Sequence, residues 1–474
     1  MKLRNLFLAS LAVCTMASCS KDDDGISGPQ EVDAYLSFAS TTDAMTKAST
    51  EGDADAGNGK EAKIQSLTAY VFDEAGKYVI SKHVSLEGSG TVGEDYNVTG
   101  EGENQSITSI KAIHVKVAKP TTEGGNSSTT FKVVLLANTE HYNDVTKLVD
   151  LEGKTTKDIR SLNAVGVGKS YLPMHSPELT VGGLKPSSDT EHFINWYNGA
   201  SSCTPEKVTA KDDHTGSIPA AGATKVIMTR SIARVQLVSL KADFSALESD
   251  GKTIRFDVTS VFLANVRANA SVMGEENTGA GFYRGAPESF DEHQFLIALN
   301  STVDEALVAT YSDRSLTTAG NALTGWDFDK YINANSPESI MGIPFTANGD
   351  GSYSKEEGGA YQTRLIIAGN YYDGNQSKGT RYFHIPLKLV GDAGNVASNK
   401  FFKVSATITG EGSPNPDEIL ENACINFSIE VAPWNDGLSC ASSDVRSEER
   451  FSWRELRSVL PEIRCRLHEQ HTVR

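Results

Sequence analysis

"VDAYLSFAST", from Val32 to Thr41, is the stretch on which the reading of this chain turns. Ala34, Leu36 and Phe38 alternate with Asp33, Tyr35 and Ser37, the period of a strand with one apolar face. The segment behind it, "TDAMTKASTEGDADAGNGKEAK", is polar and glycine-bearing, the composition of a loop open to proteases. A single strand thus stands ahead of the main body, tied to it by cleavable chain. Whether it is a permanent edge strand or a removable piece decides what the protein can do.

Upstream, "MKLRN" supplies cations and "LFLASLAVCTMA" about a dozen mostly apolar residues, too few for a membrane-spanning helix of roughly 20. A cationic start, a short apolar core and small residues before a boundary form an export signal. The box Met16-Ala17-Ser18-Cys19 resembles a bacterial lipoprotein signal, in which Cys19 is acylated and becomes the first mature residue. The competing reading is a plain secretory leader followed by a polar linker. An acyl chain would hold the protein to a membrane at about 0.8 kcal/mol per buried methylene. Ser20 to Asp24 looks like the acidic tag of surface-displayed lipoproteins in the Bacteroides lineage.

Downstream the strand signals continue. "IQSLTAYVFDEAGKYVI" (Ile64–Ile80) reads as a hairpin with its turn at Asp73 to Gly76. "SITSIKAIHVKVAK" alternates, and "TTFKVVLLANTE" is a continuous apolar strand ending at Asn138. Residues 143–220 are looser, with short helices expected around "TTKDIRSLNA" and "EHFINWYNGA". "DDHTGSIPAAGA" supplies a linker, placing a boundary near residues 212–224. Beyond it, Val235, Leu237 and Ser239 are spaced as in a strand. "TIRFDVTSVFLANVRA" follows, then a hairpin in "TRLIIAGNYYDGNQSKGTRYFHIPLKLV" and a last strand in "ACINFSIEVAPW". The fold class is all-β, with sheet packing burying most of the apolar surface.

Composition narrows the function. The 474 residues carry a formal charge of -17, which opposes binding to nucleic acid. Six cysteines at irregular distances supply neither a disulfide framework nor a cysteine metal site, although an isolated bridge is possible. The ten histidines form no HExxH pair, and no cofactor is expected. "GVGKS" (Gly166–Ser170) lacks the earlier glycine of a phosphate loop, because residue 163 is asparagine, and reads as an ordinary loop. Ser231 in "IMTRSIARV" has no GxSxG elbow, and its flanking arginines read as ending or solvating strands. No enzymatic constellation emerges.

The ordered set "LTAYVFDEAGKYV", "FKVVLLAN", "YLPMHS", "RSIARVQL", "VFLANVR", "NKFFKVSATITGEGSPNP" and "SIEVAPW" resembles the fimbrillins of Bacteroidales over about residues 10–435. The resemblance implies two transthyretin-like β-sandwich domains in tandem, here residues 64–220 and 221–440. They would follow a signal at 1–18 and a tether, first strand and loop at 19–63. It implies export as an outer-membrane lipoprotein through signal peptidase II and the lipoprotein export machinery. A trypsin-like protease would then cut the loop after the first strand, and the opened groove would take a strand from another fimbrial subunit. The removable strand is then Val32 to Thr41, with Ala34, Leu36 and Phe38 as its apolar face. Lys47 is the best-placed cleavage residue and Lys60 the second, since the loop holds no arginine. Support of adhesion belongs to the same expectation; the alternative is a non-polymerising surface lipoprotein that binds glycan or host protein, or an anchor or tip subunit. Residues 441–474 depart from the pattern, with seven arginines and no lysine, as an atypical Arg-rich tail or a frame-shifted end would.

Overall fold

A computed structural model describes residues 30–42, 59–209, 223–248, 251–285, 302–318, 325–335, 345–347, 353–355, 362–387, 396–414 and 424–433. The architecture is all-β and mixed. An eleven-stranded sheet takes β1 (Glu31–Thr42), β2 (Ser66–Asp73), β3 (Tyr78–Ser85), β4 (Tyr96–Thr99), β5 (Ser106–Ala118) and β6 (Phe131–Ala137). It is completed by β7 (Met174–His175), β8 (Leu179–Val181), β9 (His192–Tyr197), β10 (Cys203–Val208) and β11 (Lys225–Arg230). One helix, α1 (Ile159–Val165), lies between β6 and β7. Its N-cap is Asp158, whose carboxylate accepts the Arg160 backbone N–H, satisfying one free amide of the first turn.

The later strands are β12 (Ala233–Ala242), β13 (Ile254–Ala264), β14 (Val266–Arg267), β15 (Phe282–Arg284), β16 (Thr302–Val303) and β17 (Val308–Leu316). They continue as β18 (Asp329–Ile332), β19 (Phe345–Ala347), β20 (Tyr353–Lys355), β21 (Arg364–Asp373), β22 (Gln376–Pro386), β23 (Lys400–Ile408) and β24 (Ile425–Pro433). Two four-stranded sheets, β18-β12-β23-β24 and β17-β13-β21-β22, carry most of them. Val235, Leu237 and Phe402 from one sheet and Phe256, Val261 and Ile367 from the other share a single buried core. A separate core gathers Leu36, Phe38, Leu67, Ile113, Leu135 and Met228 from the large sheet, which therefore closes over its own apolar face.

The expected hairpins form. β2 pairs antiparallel with β3 through a turn in which Gly76 has φ of +80°, a conformation costly for other residues. β21 pairs with β22 around "DGNQ". One local expectation is corrected. "EHFINWYNGA" holds β9, not a helix; Ile194 to Trp196 lie against both β10 and β1, and this pairing overrides local preference. In β12, a bulge between Leu237 and Ser239 carries Leu240 rather than Ser239 into the core. The two cysteines among the described residues, Cys203 and Cys424, are unbridged.

"YLPMHS" and "RSIARVQL" meet in space, β7 pairing with β11 through His175–Thr229 and Met174–Arg230. The Ser231 hydroxyl donates to the Val272 carbonyl at 2.7 Å and lies 3.1 Å from His175 Nδ1. Burial pushes the His175 imidazole down from 6.5 to about 4. Between those values the unfolded chain binds a proton that the folded chain refuses. Its contribution to stability is complete above pH 6.5 and is lost as pH falls toward 4, by on the order of 3 kcal/mol in all. Urea midpoints should therefore drop less between pH 6.5 and 4.5 in His175→Gln than in the wild type. Parallel profiles would contradict the assignment.

Candidate functional site: the first strand and the post-loop clamp

β1 is interior, not an edge strand. Along one side it runs antiparallel to β5, from Glu31–Ala118 to Ala39–Ser109. Along the other it runs parallel to β9 at Tyr35 to Ser37, then parallel to β11 at Ala39 to Thr42. Among the described strands, β5 and β4 reach the rest of the sheet only through β1, and so do β9 and β10. One strand thus joins three pieces: β4–β5, β9–β10, and the run β11-β7-β6-β2-β3.

Its side chains follow the alternation up to a point. Ala34, Leu36 and Phe38 are fully buried in the large-sheet core, and Phe38 packs against Tyr197 with centroids 5.7 Å apart. Burying the leucine and phenylalanine contributes about 1.5–3 kcal/mol each. On the opposite face, Tyr35 stacks on His114 at 5.3 Å. Asp33 binds Lys116 at 2.5 Å and His114 Nε2 at 2.6 Å. These partners, Lys116 first, hold its carboxyl well below the usual carboxylate range. Ser37, expected on the polar face, is fully buried. Opposite it, Lys111 and Ala112 form a bulge in β5, with Ala112 at φ +53°. The Ala112 N–H donates to Ser37 Oγ at 3.0 Å, so the hydroxyl replaces a missing ladder partner.

The loop behind β1 is closed at its base. Thr42 Oγ1 donates to the Ala62 carbonyl at 2.8 Å, so both ends of the intervening segment sit together. A single-turn 3₁₀ helix, Gly59–Ala62, follows the loop. Lys60 lies in it; its N–H donates to the Gly168 carbonyl at 3.1 Å, and its ammonium lies 5.4 Å from the centre of the Tyr171 ring. Cys19 and Lys47 lie outside the described residues.

The next residue, Glu61, is fully buried. Its Oε1 accepts the Gly168 N–H at 2.7 Å and the Tyr331 hydroxyl. Arg234 Nη1 is 3.7 Å from Oε2, and Arg230 Nε donates to the Glu61 carbonyl at 3.3 Å. Arg234 also makes a two-pronged pair with Asp329 and lies 4.5 Å above the Phe401 ring, a fork geometry suited to guanidinium. Burial, then the Glu61 charge, pushes the Tyr331 phenol far up. Of the two arginines of "RSIAR", Arg230 does end β11, but both are buried rather than solvated; no local pattern signalled this, because Glu61 reaches them from remote sequence. "GVGKS" follows α1 as a loop whose Gly168 amide serves the same carboxylate.

Just beyond, Asn138 staples the retained chain. Its Oδ1 accepts the Gln65 N–H at 2.7 Å, and its Nδ2 donates to the carbonyls of Lys63 and Leu172. The residue sits at φ +57°, a region asparagine tolerates better than most.

Residues 34–230 match the family model described as the major fimbrial subunit protein, FimA. The chain is 22% identical over 400 residues to the candidate fimbrium tip subunit Fim1C of Parabacteroides distasonis, covering 82% of this chain and 88% of the relative. Two crystal structures of candidate cell-adhesion proteins from the same organism share the fold. The first has a TM-score of 0.52 at 16% identity, covering 85% of this chain and all of the other. The second has a TM-score of 0.50 at 16% identity, covering 85% and 97%. The family match thus covers residues 34–230, and the two cell-adhesion structures share the fold of the chain. Among the described residues, no group of three or more His, Cys, Asp and Glu side chains could hold a metal ion. No helix among them is long and apolar enough to cross a membrane.

Removing the Glu61 carboxylate strands the buried Tyr331 hydroxyl and leaves the half-buried Gly168 N–H with only the Tyr331 oxygen at 2.9 Å, an unpaired buried group costing about 1–3 kcal/mol. Glu61→Ala should lower unfolding stability by about 2–4 kcal/mol. Glu61→Gln keeps an acceptor and should lose about 1 kcal/mol. Urea midpoints check both, and equal small losses would show that the clamp holds nothing.

Proposed function

We propose that the chain is a structural subunit of cell-surface fimbriae, assembled by strand exchange after its first strand is removed. One observation carries the reading: β1 is the sole described link among three parts of its sheet, and Thr42 at its end is hydrogen-bonded to Ala62, where the chain returns after a segment that is polar and glycine-bearing in sequence. Losing β1 unpairs the backbone of β5, β9 and β11 and empties the sites of Leu36 and Phe38, leaving costly unpaired groups. A donor strand from a second subunit would restore both the ladder and the side-chain contacts. The FimA-like match and the adhesion proteins that share the fold support the same reading.

In this scheme Cys19 carries lipid after signal peptidase II acts, and the precursor reaches the outer-membrane surface before a trypsin-like protease releases it into the fimbrium. Lys47 is preferred over Lys60 as the cut site, because Lys60 is fixed to Gly168 and adjoins the buried Glu61. The two-domain division into residues 64–220 and 221–440, each a transthyretin-like sandwich, completes the proposal. The first is built on the large-sheet core and the second on the two four-stranded sheets; β11, just past the dividing line, joins the first through β1. The likeness to Fim1C favours a tip place among partner subunits.

Amino-terminal sequencing of the processed protein should begin at Ala48, and Lys47→Ala should leave the precursor uncut and monomeric. Processed protein should form ladders that resist mild denaturation. A cut protein that stays strictly monomeric beside its native partner subunits would sink the proposal.

A further inference from the structure

On the face of the β2–β3 hairpin turned away from the β1 groove, a cleft of about 590 Å³ runs to α1 and the loop behind it. That volume lies within the roughly 300–1,000 Å³ of small-ligand sites. Its floor is a pair of imidazoles: His83 and His141 stack 5.3 Å apart with planes 6° from parallel. Each is oriented by a hydroxyl, His83 Nδ1 by Thr68 Oγ1 at 2.7 Å and His141 Nε2 by Ser81 Oγ at 3.0 Å. The second nitrogen of each ring makes none of these contacts. Burial lowers the pKa of both rings, so at neutral pH each is a neutral group able to donate or accept.

The walls balance the two kinds of polar group. Lys157 and Lys169 supply donors, and Glu87 and Glu140 supply acceptors. Glu87 is engaged by Gln65 Nε2 at 2.5 Å, whereas the side chains of Lys157, Lys169 and Glu140 have no polar partner among the described residues. The Tyr171 ring and Leu162 add apolar surface beside them. An anion would call for an excess of cations, and a metal for three or more His, Cys, Asp or Glu side chains gathered about one point; among the described residues the cleft has neither. Equal numbers of opposite charges, two neutral imidazoles and an aromatic ring instead suit a ligand that is uncharged, rich in hydroxyls and apolar on its ring faces.

We propose that this cleft binds a neutral oligosaccharide of two or three sugar rings. Glu140 accepts from sugar hydroxyls, Lys157 and Lys169 donate to them, and Tyr171 packs on a ring face. The floor residues fix the depth at which the sugar sits. Because Leu67, Ala69 and Val71 belong to the core that holds Leu36 and Phe38 while Thr68, between them, bonds the cleft residue His83, binding is separate from strand exchange and does not rest on it.

The test is titration calorimetry on the full mature chain with lactose, N-acetyllactosamine, mannotriose and laminaritriose as neutral probes, and 3′-sialyllactose as a charged one. At least one neutral probe should bind with a millimolar or tighter Kd. Glu140→Ala and Tyr171→Ala should each weaken it by about tenfold with unchanged thermal unfolding. Lys169→Ala, at an exposed position, serves as a third variant that leaves the fold intact. Absence of binding to every neutral probe at about 10 mM, preference for the charged probe, or affinity indifferent to all three variants would each overturn the proposal. The fate of processed chains in polymer ladders is read separately, so the two proposals fail independently.

Discussion

The hydrogen-bond ladder of β1 is the constraint on which this structure depends. A strand at the rim of a sheet can leave at the cost of one row of partners. β1 has partners on both sides, and those on the second side change midway from β9 to β11. Its departure would therefore break the continuity of the largest sheet in three directions at once. An exposed edge of that kind is a template for another strand. In the proposed scheme, the same feature that stabilises the complete chain would make the incomplete one reactive toward a donor.

Such a device works only if what remains keeps its shape. Glu61 and Asn138 lie directly behind the loop and fasten the retained chain at two levels. Glu61 ties the 3₁₀ turn to Gly168, Tyr331, Arg230 and Arg234, spanning both cores. Asn138 ties Lys63 and Gln65 to the end of β6 and to Leu172. A buried carboxylate is costly unless it is paired and bonded; here Gly168 and Tyr331 donate to Oε1 and the Arg234 guanidinium lies 3.7 Å from Oε2. The chain is therefore tightly held from Gly59 onward.

Much of this was legible from residues alone, and the exceptions have a common cause. Alternation located β1 and its buried Ala34, Leu36 and Phe38, because one-sided burial writes a period of two into the sequence. The hairpins at Gly76 and at "DGNQ" were legible because turn chemistry is local. Contacts with remote partners were not. β1 reads as an edge or an interior strand with equal ease, since its parallel neighbours come from Ile194 and Lys225 onward. The burial of Ser37 depends on a bulge at Ala112, and β9 is a strand only because β1 and β10 flank it. Arg230 and Arg234 read as surface residues because Glu61 and Asp329, which engage them, are far off in the chain.

Hydrogen exchange measures the central claim most directly. Amide protection is compared in the intact chain, in the chain cleaved in the loop and freed of β1, and in that freed chain given a peptide of residues 31–42. The account predicts that β5, β9 and β11 lose protection together when β1 leaves and regain it together with the peptide. Protection retained on all three, or lost along β5 alone as for an ordinary edge strand, would contradict it.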